Sequence, residues 1–268
     1  MLHKVSNLKG KKIHCTDEEV GTVRDTYIDI DTWTLRYIVV DTGGVINGHQ
    51  VLISPKSVKS ISAEGDVYVT LTRTQVEGAP TVEDNIAPSR AFEQTYFDYI
   101  GSPYYWNGPF LWGAYPSPMD VEAVNINPAP PVREAADRVA TDHDHGKDYE
   151  EISRLESGGE PRLYSTKEVD GYHLRATDDE IGHVDDFVMD DQTWQVRYFI
   201  ADTSNWWMGH KVLIDTAYVK GIDLVDSKVD IDLTTEQIKD SPEYDHNKPI
   251  ESQYEDALHQ HYRGQRVS

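Results

Sequence analysis

Two stretches of this sequence are copies of one another. Residues 32–42 read Thr-Trp-Thr-Leu-Arg-Tyr-Ile-Val-Val-Asp-Thr, and residues 193–203 read Thr-Trp-Gln-Val-Arg-Tyr-Phe-Ile-Ala-Asp-Thr. One offset of 161 residues relates Gly21 to Gly182, Trp33 to Trp194 and His49 to His210. Past Asp66 the offset becomes 162, relating Leu71 to Leu233, Gln75 to Gln237 and Pro80 to Pro242. A slip of one residue between two strands is what a change in turn length produces. The fold must therefore be one that a chain can build twice from the same instructions.

Each copy reads as β. In the first, residues 13–15, 20–23, 26–30, 33–39, 49–53, 58–61 and 67–71 show the alternation or apolar runs of short strands. The Asp-rich link at residues 29–32 supplies turn chemistry, because Asp side chains accept from nearby backbone amides. Helices are predicted after Thr72 and Thr234, whose hydroxyls suit the N-cap position, and after Pro88 and Pro249, where the apolar spacing is helical. The predicted class is mainly β: two small β-barrels, each followed by short α-helices. By composition the chain divides into a first barrel with its helix and aromatic tail (1–115), a linker, partly mobile (116–160), and a second barrel with its helix (161–268).

Three elements carry a family resemblance. They are the turn and glycine of residues 17–21 and 178–182, the Trp-x-x-Arg-Tyr strand, and the Gly-His-x-Val-Leu-Ile strand at 48–53 and 209–214. On these, each copy resembles a PRC-barrel domain, over roughly residues 5–80 and 164–242. That family includes the cytoplasmic barrel of the photosynthetic reaction-centre H subunit and the barrel of the ribosome-maturation factor RimM. The resemblance implies a β-barrel used for docking against other proteins, with no common catalytic residues to carry over. The membrane helix of the H subunit and the separate N-terminal domain of RimM have no counterpart in this sequence.

Charge narrows the partners. With 25 basic against 47 acidic residues the net charge is -22, which disfavours direct contact with nucleic acid or with an anionic membrane face. Cys15 is the single cysteine, so no disulfide closes within the chain. No run of about 20 apolar residues suits a membrane span. These features predict a cytoplasmic chain without membrane insertion.

Candidate binding residues are aromatic. Trp206 and Trp207 stand where the first copy has Val45 and Ile46 (Val45-Ile46-Asn47 against Trp206-Trp207-Met208), so the tandem Trp is special to the second barrel. They either line an exposed loop or cap the barrel mouth. Tyr104, Tyr105, Trp106 and Trp112 lie in a stretch that either wraps its own barrel or docks on the second barrel or a partner. Trp33 and Trp194 read as barrel packing. Arg36 and Arg197 read as partners of a local carboxylate such as Asp41 or Asp202, and Cys15 as a small core residue. His143-Asp144-His145 and His259-Gln260-His261 lack a third ligand at a telling spacing, so no metal is expected, nor any cofactor. Asp29-Ile30-Asp31 lacks the glycine and terminal Glu of a calcium loop.

No catalytic motif is present: neither a nucleophile elbow, nor a phosphate loop, nor a dinucleotide fingerprint. The function read from the sequence is non-catalytic, an interaction or scaffold protein of tandem barrels, and the resemblance implies a relation to assembly of the reaction-centre H-subunit type. Two alternatives stay open: a ribosome- or RNA-maturation factor binding a basic ribosomal protein, and an enzyme with a carboxylate site between the barrels. The protein partner is not named by the sequence, and a homodimer is compatible with it.

Overall fold

The structure is a computed structural model, and it describes residues 1–43, 49–82, 87–120, 163–203, 210–246 and 248–263. Its backbone groups into two compact units. The first-repeat unit holds residues 7–165 and 192–194; the second-repeat unit holds 1–6, 166–191 and 195–268. Three short segments therefore belong with the barrel of the other repeat: 1–6, 163–165 and 192–194. Most of the expected linker, residues 121–160, lies outside the described residues.

In the first-repeat unit the strands are β2 (Lys12–His14), β3 (Glu19–Asp29), β4 (Thr34–Asp41), β5 (Gln50–Ile53), β6 (Val58–Ile61), β7 (Val67–Val69) and β8 (Thr81–Val82). They form one sheet in the order β6-β7-β2-β3-β4-β5-β8, curled back on itself as a partial barrel. The second-repeat unit uses β10 (His173–Arg175), β11 (Glu180–Asp190), β12 (Val196–Asp202), β13 (Lys211–Asp215), β14 (Val219–Asp223) and β15 (Lys228–Ile231), in the order β13-β12-β11-β10-β15-β14. Each unit has one parallel pair, β2 with β7 and β10 with β15, while the other neighbours are antiparallel.

The long strand organises each sheet. β3 pairs with β4 from Thr22 to Asp29, and bulges between Val23 and Asp25 and between Tyr27 and Ile28 bend it. β11 carries the same two irregularities, between Val184 and Asp186 and between Val188 and Met189. A bulge adds a residue on one strand and increases its twist, which lets a flat ribbon coil. On its other edge β3 is covered twice. β2 pairs with residues 19–22, and β9 (Leu163–Ser165) pairs with residues 27–29. β11 repeats this, with β10 on its first half and β1 (Leu2–Lys4) on Asp190, Met189 and Val188.

The exchange is reciprocal to the residue. β1 opens the first repeat and completes the second-repeat sheet; β9 opens the second repeat and completes the first-repeat sheet. A side-chain bond fixes each one. Ser6 donates from its backbone N–H (3.1 Å) and its hydroxyl to the Asp186 carboxylate. Ser165 donates its hydroxyl to Asp25, the residue equivalent to Asp186, at 2.5 Å. Burial pushes the Asp186 carboxyl above its usual range, and these donors hold it against that pull.

The helices start where their caps dictate. α1 (Arg73–Glu77) has a full capping box, Thr72 with Gln75. α2 (Arg90–Tyr99) is capped by Ser89, which accepts from the Phe92 N–H, and is followed by Gly101 at φ 64°. In the second repeat α3 (Thr166–Val169) follows β9, α4 (Thr235–Lys239) repeats the capping box with Thr234 and Gln237, and α5 (Ser252–Arg263) takes the place of α2. The one-residue slip is a turn: Gly65 at φ 94° closes the first β6–β7 hairpin, and Ser227 at φ 52° closes the longer second one.

Two sequence expectations need correction. Residues 20–23 and 26–29 are parts of the single strand β3, because bulges interrupt the alternation without ending the pairing, and Ile30 begins the turn after it. Trp33 begins no strand; it ends the turn between β3 and β4 at φ 49°, and Trp194 does the same at φ 61°. The strand β4 is buried on both faces from Thr34 to Val40, so its alternation has no solvent side.

Gly182 sits at φ 73°, and a Cβ there would lie 2.0 Å from the Asp202 carbonyl oxygen; Gly21 meets the Asp41 oxygen at the same distance. Gly171, at φ 85°, has open space around it. Gly182→Ala is expected to destabilise the second-repeat unit by about 2–4 kcal/mol in urea unfolding, and Gly171→Ala by about 1 kcal/mol. Equal losses would show that no close approach constrains Gly182.

Candidate interaction surface

Arg36, on β4, is a buried cation. Its Nε and Nη2 donate to the Asp29 carboxylate at 3.2 and 3.1 Å, its Nη2 donates to the Thr32 hydroxyl at 2.9 Å, and its Nη1 to the Leu111 carbonyl at 2.5 Å. Both members of the pair are buried, at 2% and 3% side-chain exposure. The carboxylate is thus Asp29 and not Asp41, which lies near Arg24 at 3.9 Å. The reason is reach. Asp41 is five strand residues beyond Arg36, about 16 Å away, whereas Asp29 faces it across the turn and also accepts from the Asp31 N–H at 3.1 Å.

A second buried charge lies beside it. Glu93, on the inner face of α2, is fully buried. It accepts from the Tyr37 hydroxyl at 2.9 Å and the Tyr105 hydroxyl at 2.6 Å, and pairs with Arg90 at 3.2 Å. Burial, and then the Glu93 charge, raises the Tyr37 phenol well above its usual range, so it remains a donor.

The segment after α2 closes over these charges. Tyr105 is buried with its ring 3.9 Å from the Arg36 guanidinium, and Trp112, also buried, lies at 5.1 Å. Trp112 donates its indole N–H to the Thr193 carbonyl at 2.8 Å, and the Ser117 hydroxyl donates to Gln192 at 2.7 Å. Leu35 N–H donates to the Trp194 carbonyl, and Trp194 is itself fully buried. This is why residues 192–194 belong to the first-repeat unit. Lys56 donates to the Pro103 carbonyl at 2.6 Å, and burial, together with the nearby Arg36, lowers its pKa to about 8.

The sequence-predicted residues thus separate. Tyr105 and Trp112 wrap their own barrel. Tyr104 and Trp106 are half-buried and stack on each other, centroids 4.8 Å apart and planes 11° from parallel, with the Arg90 guanidinium 3.8 Å from the Trp106 ring. Phe110 is 54% exposed and Met119 52%. Trp206 and Trp207 lie outside the described residues, as do His143 and His145. Arg90 and Glu93 are the residues that sequence reasoning passed over, and Arg36 was given the wrong carboxylate. The signal for Glu93 was available: an acidic residue on the apolar face of a predicted helix, repeated at the same position of the second copy as Glu255.

Other chemistry is sparse here. Cys15 is half-buried just beyond β2 rather than in the core, and burial pushes its thiol up to about 11, so it is a poor nucleophile at neutral pH. Among the described residues, no cluster of three His, Cys, Asp or Glu has metal-binding geometry, and no helix is long and apolar enough to cross a membrane.

Asp29→Ala is expected to cost about 3–5 kcal/mol, because it strands the Arg36 cation in a dry site. Adding Arg36→Leu should recover part of that loss in the same urea titration. A loss below about 1 kcal/mol for Asp29→Ala would show that the pair is not structural.

Comparison with known proteins agrees with this architecture. The family model for the PRC-barrel domain matches residues 2–75 and 164–238, so each match begins at the exchanged strand. An uncharacterised protein of Deinococcus radiodurans is 34% identical over 87 residues, 32% of this chain. The matched part spans only 31% of that relative's length. Two matches covering more than half of the sequence imply a scaffold or interaction module of a generally non-catalytic kind: the chain belongs to the PRC-barrel domain family.

Proposed function

We propose that this chain is a non-catalytic scaffold that binds a protein partner through aromatic side chains, with Tyr104, Trp106 and Phe110 forming one contact surface and Trp206 and Trp207 a second. The supporting observation is the state of Trp106. Its ring is clamped between Tyr104 and Arg90, yet the residue stays half-exposed, beside a Phe110 that is more than half exposed. An aromatic ring already fixed in place loses little side-chain entropy on binding, which is what makes Trp and Tyr effective anchors at interfaces. Beneath it the Arg36–Asp29 and Arg90–Glu93 pairs hold the segment to the barrel. The acidic surface, at a net charge of -22, favours a partner with a basic rim.

The test is capture from a native lysate with the wild-type chain and two variants, Trp106→Ala with Phe110→Ala, and Trp206→Ala with Trp207→Ala. Recovery of the wild-type partner should fall at least about ten-fold in each variant, the usual loss on truncating an anchor. Full retention of every partner by both variants would contradict the reading.

A further inference from the structure

The two barrels use the same residues on the face beneath α2 and α5, but among the described residues only one of these faces is covered. Tyr37, Arg36 and Glu93 correspond to Tyr198, Arg197 and Glu255. The core contact repeats: the Tyr198 hydroxyl donates to Glu255 at 3.0 Å, as Tyr37 does to Glu93 at 2.9 Å. Among the described residues the covering layer does not repeat. In the first-repeat unit, Tyr105 supplies a second hydroxyl to the carboxylate and lays its ring on the arginine. In the second-repeat unit, α5 is the last described element, and Arg197, Glu255 and the neighbouring His259 are all half-exposed. Phe97, which packs on the Tyr105 ring, is replaced there by His259, whose Nε2 lies 3.4 Å from the Tyr198 hydroxyl.

We infer that the Arg197–Glu255–His259 face of the second barrel is a docking site for an extended, tyrosine-bearing aromatic segment of a partner protein, seated as residues 102–118 are seated on the first barrel. The inference rests on the scaffold reading and names the chemistry of one partner. The carboxylate of Glu255 accepts the incoming phenol, and the Arg197 guanidinium stacks on its ring; both are charge-assisted or cation–π contacts that gain strength as water leaves. A second copy of this chain is a poor donor, because its own Tyr105 and Trp112 are buried at 3% and 1% exposure on its first barrel. The occupant is therefore a different protein. Its segment would combine Tyr and Trp with Pro and Gly, residues that keep a backbone extended and free of competing helix.

The test uses the full chain and a fluorescein-labelled synthetic peptide of residues 102–118 as the probe, read by anisotropy. Saturable one-to-one binding is expected. Glu255→Gln and Arg197→Ala in the chain should each weaken it about ten-fold, and so should Tyr105→Phe in the peptide. Combining Glu255→Gln with the Tyr105→Phe peptide should weaken it no further than either change alone, since both remove the same bond. Absence of saturable binding would overturn the inference, as would equal affinity for the wild-type and Glu255→Gln chains, or a concentration-dependent dimer that Arg197→Ala abolishes. Trp106→Ala with Phe110→Ala should leave peptide affinity unchanged. If peptide binding fails while that variant still loses its lysate partner, the docking inference falls and the scaffold reading stands.

Discussion

The long strand of each barrel has one edge that its own repeat cannot finish. β2 covers only residues 19–22 of β3, and β10 only the first half of β11. The remainder would be a row of unpaired backbone groups, a template for indiscriminate pairing. Each repeat closes the edge of the other with three residues, β1 on β11 and β9 on β3. Strands of that length have no stability alone. They persist because the Ser6–Asp186 and Ser165–Asp25 bonds pin them and because the chain delivers them at high effective concentration. In this chain, then, neither repeat finishes its own long strand: the first strand of each serves the sheet of the other.

Much of this was legible in the residues. The offset of 161 and its slip to 162, the capping boxes at Thr72 and Thr234, and the barrel class all follow from local pattern, and local pattern is what short strands and caps obey. The exchanged strands were not legible. Leu2-His3-Lys4 and Leu163-Tyr164-Ser165 are too short to show a period, and the partner of the first lies more than 180 residues away. Trp33 misled for a related reason: aromatic residues favour strands, but the four-residue turn of residues 30–33 ends on a left-handed residue, and that residue is Trp33.

The candidate surface was half legible. An aromatic, Pro- and Gly-rich stretch announces itself by composition, so residues 104–112 stood out. Which of those rings face inward depends on Arg36 and Glu93, and a strand arginine or a helix glutamate looks like a solvated residue until the segment is laid on it. The two copies then diverge where a sequence comparison sees near identity. Tyr198–Glu255 keeps the contact of Tyr37–Glu93, but the carboxylate changes from fully buried to half-exposed. Retained residues build the barrel; the difference in what covers them separates a finished face from an open one.

The exchange of first strands is tested most directly by a cross-strand disulfide. Met1 accepts from the Asp191 N–H, so alternation along the ladder makes Lys4 and Val188 a non-hydrogen-bonded pair, where facing Cα atoms approach to about 4.5 Å. In a Cys15→Ser background, Lys4→Cys with Val188→Cys should oxidise to a disulfide within one chain, seen as a linked peptide pair at monomer mass. A disulfide that joins two chains, or none at all, would contradict the account.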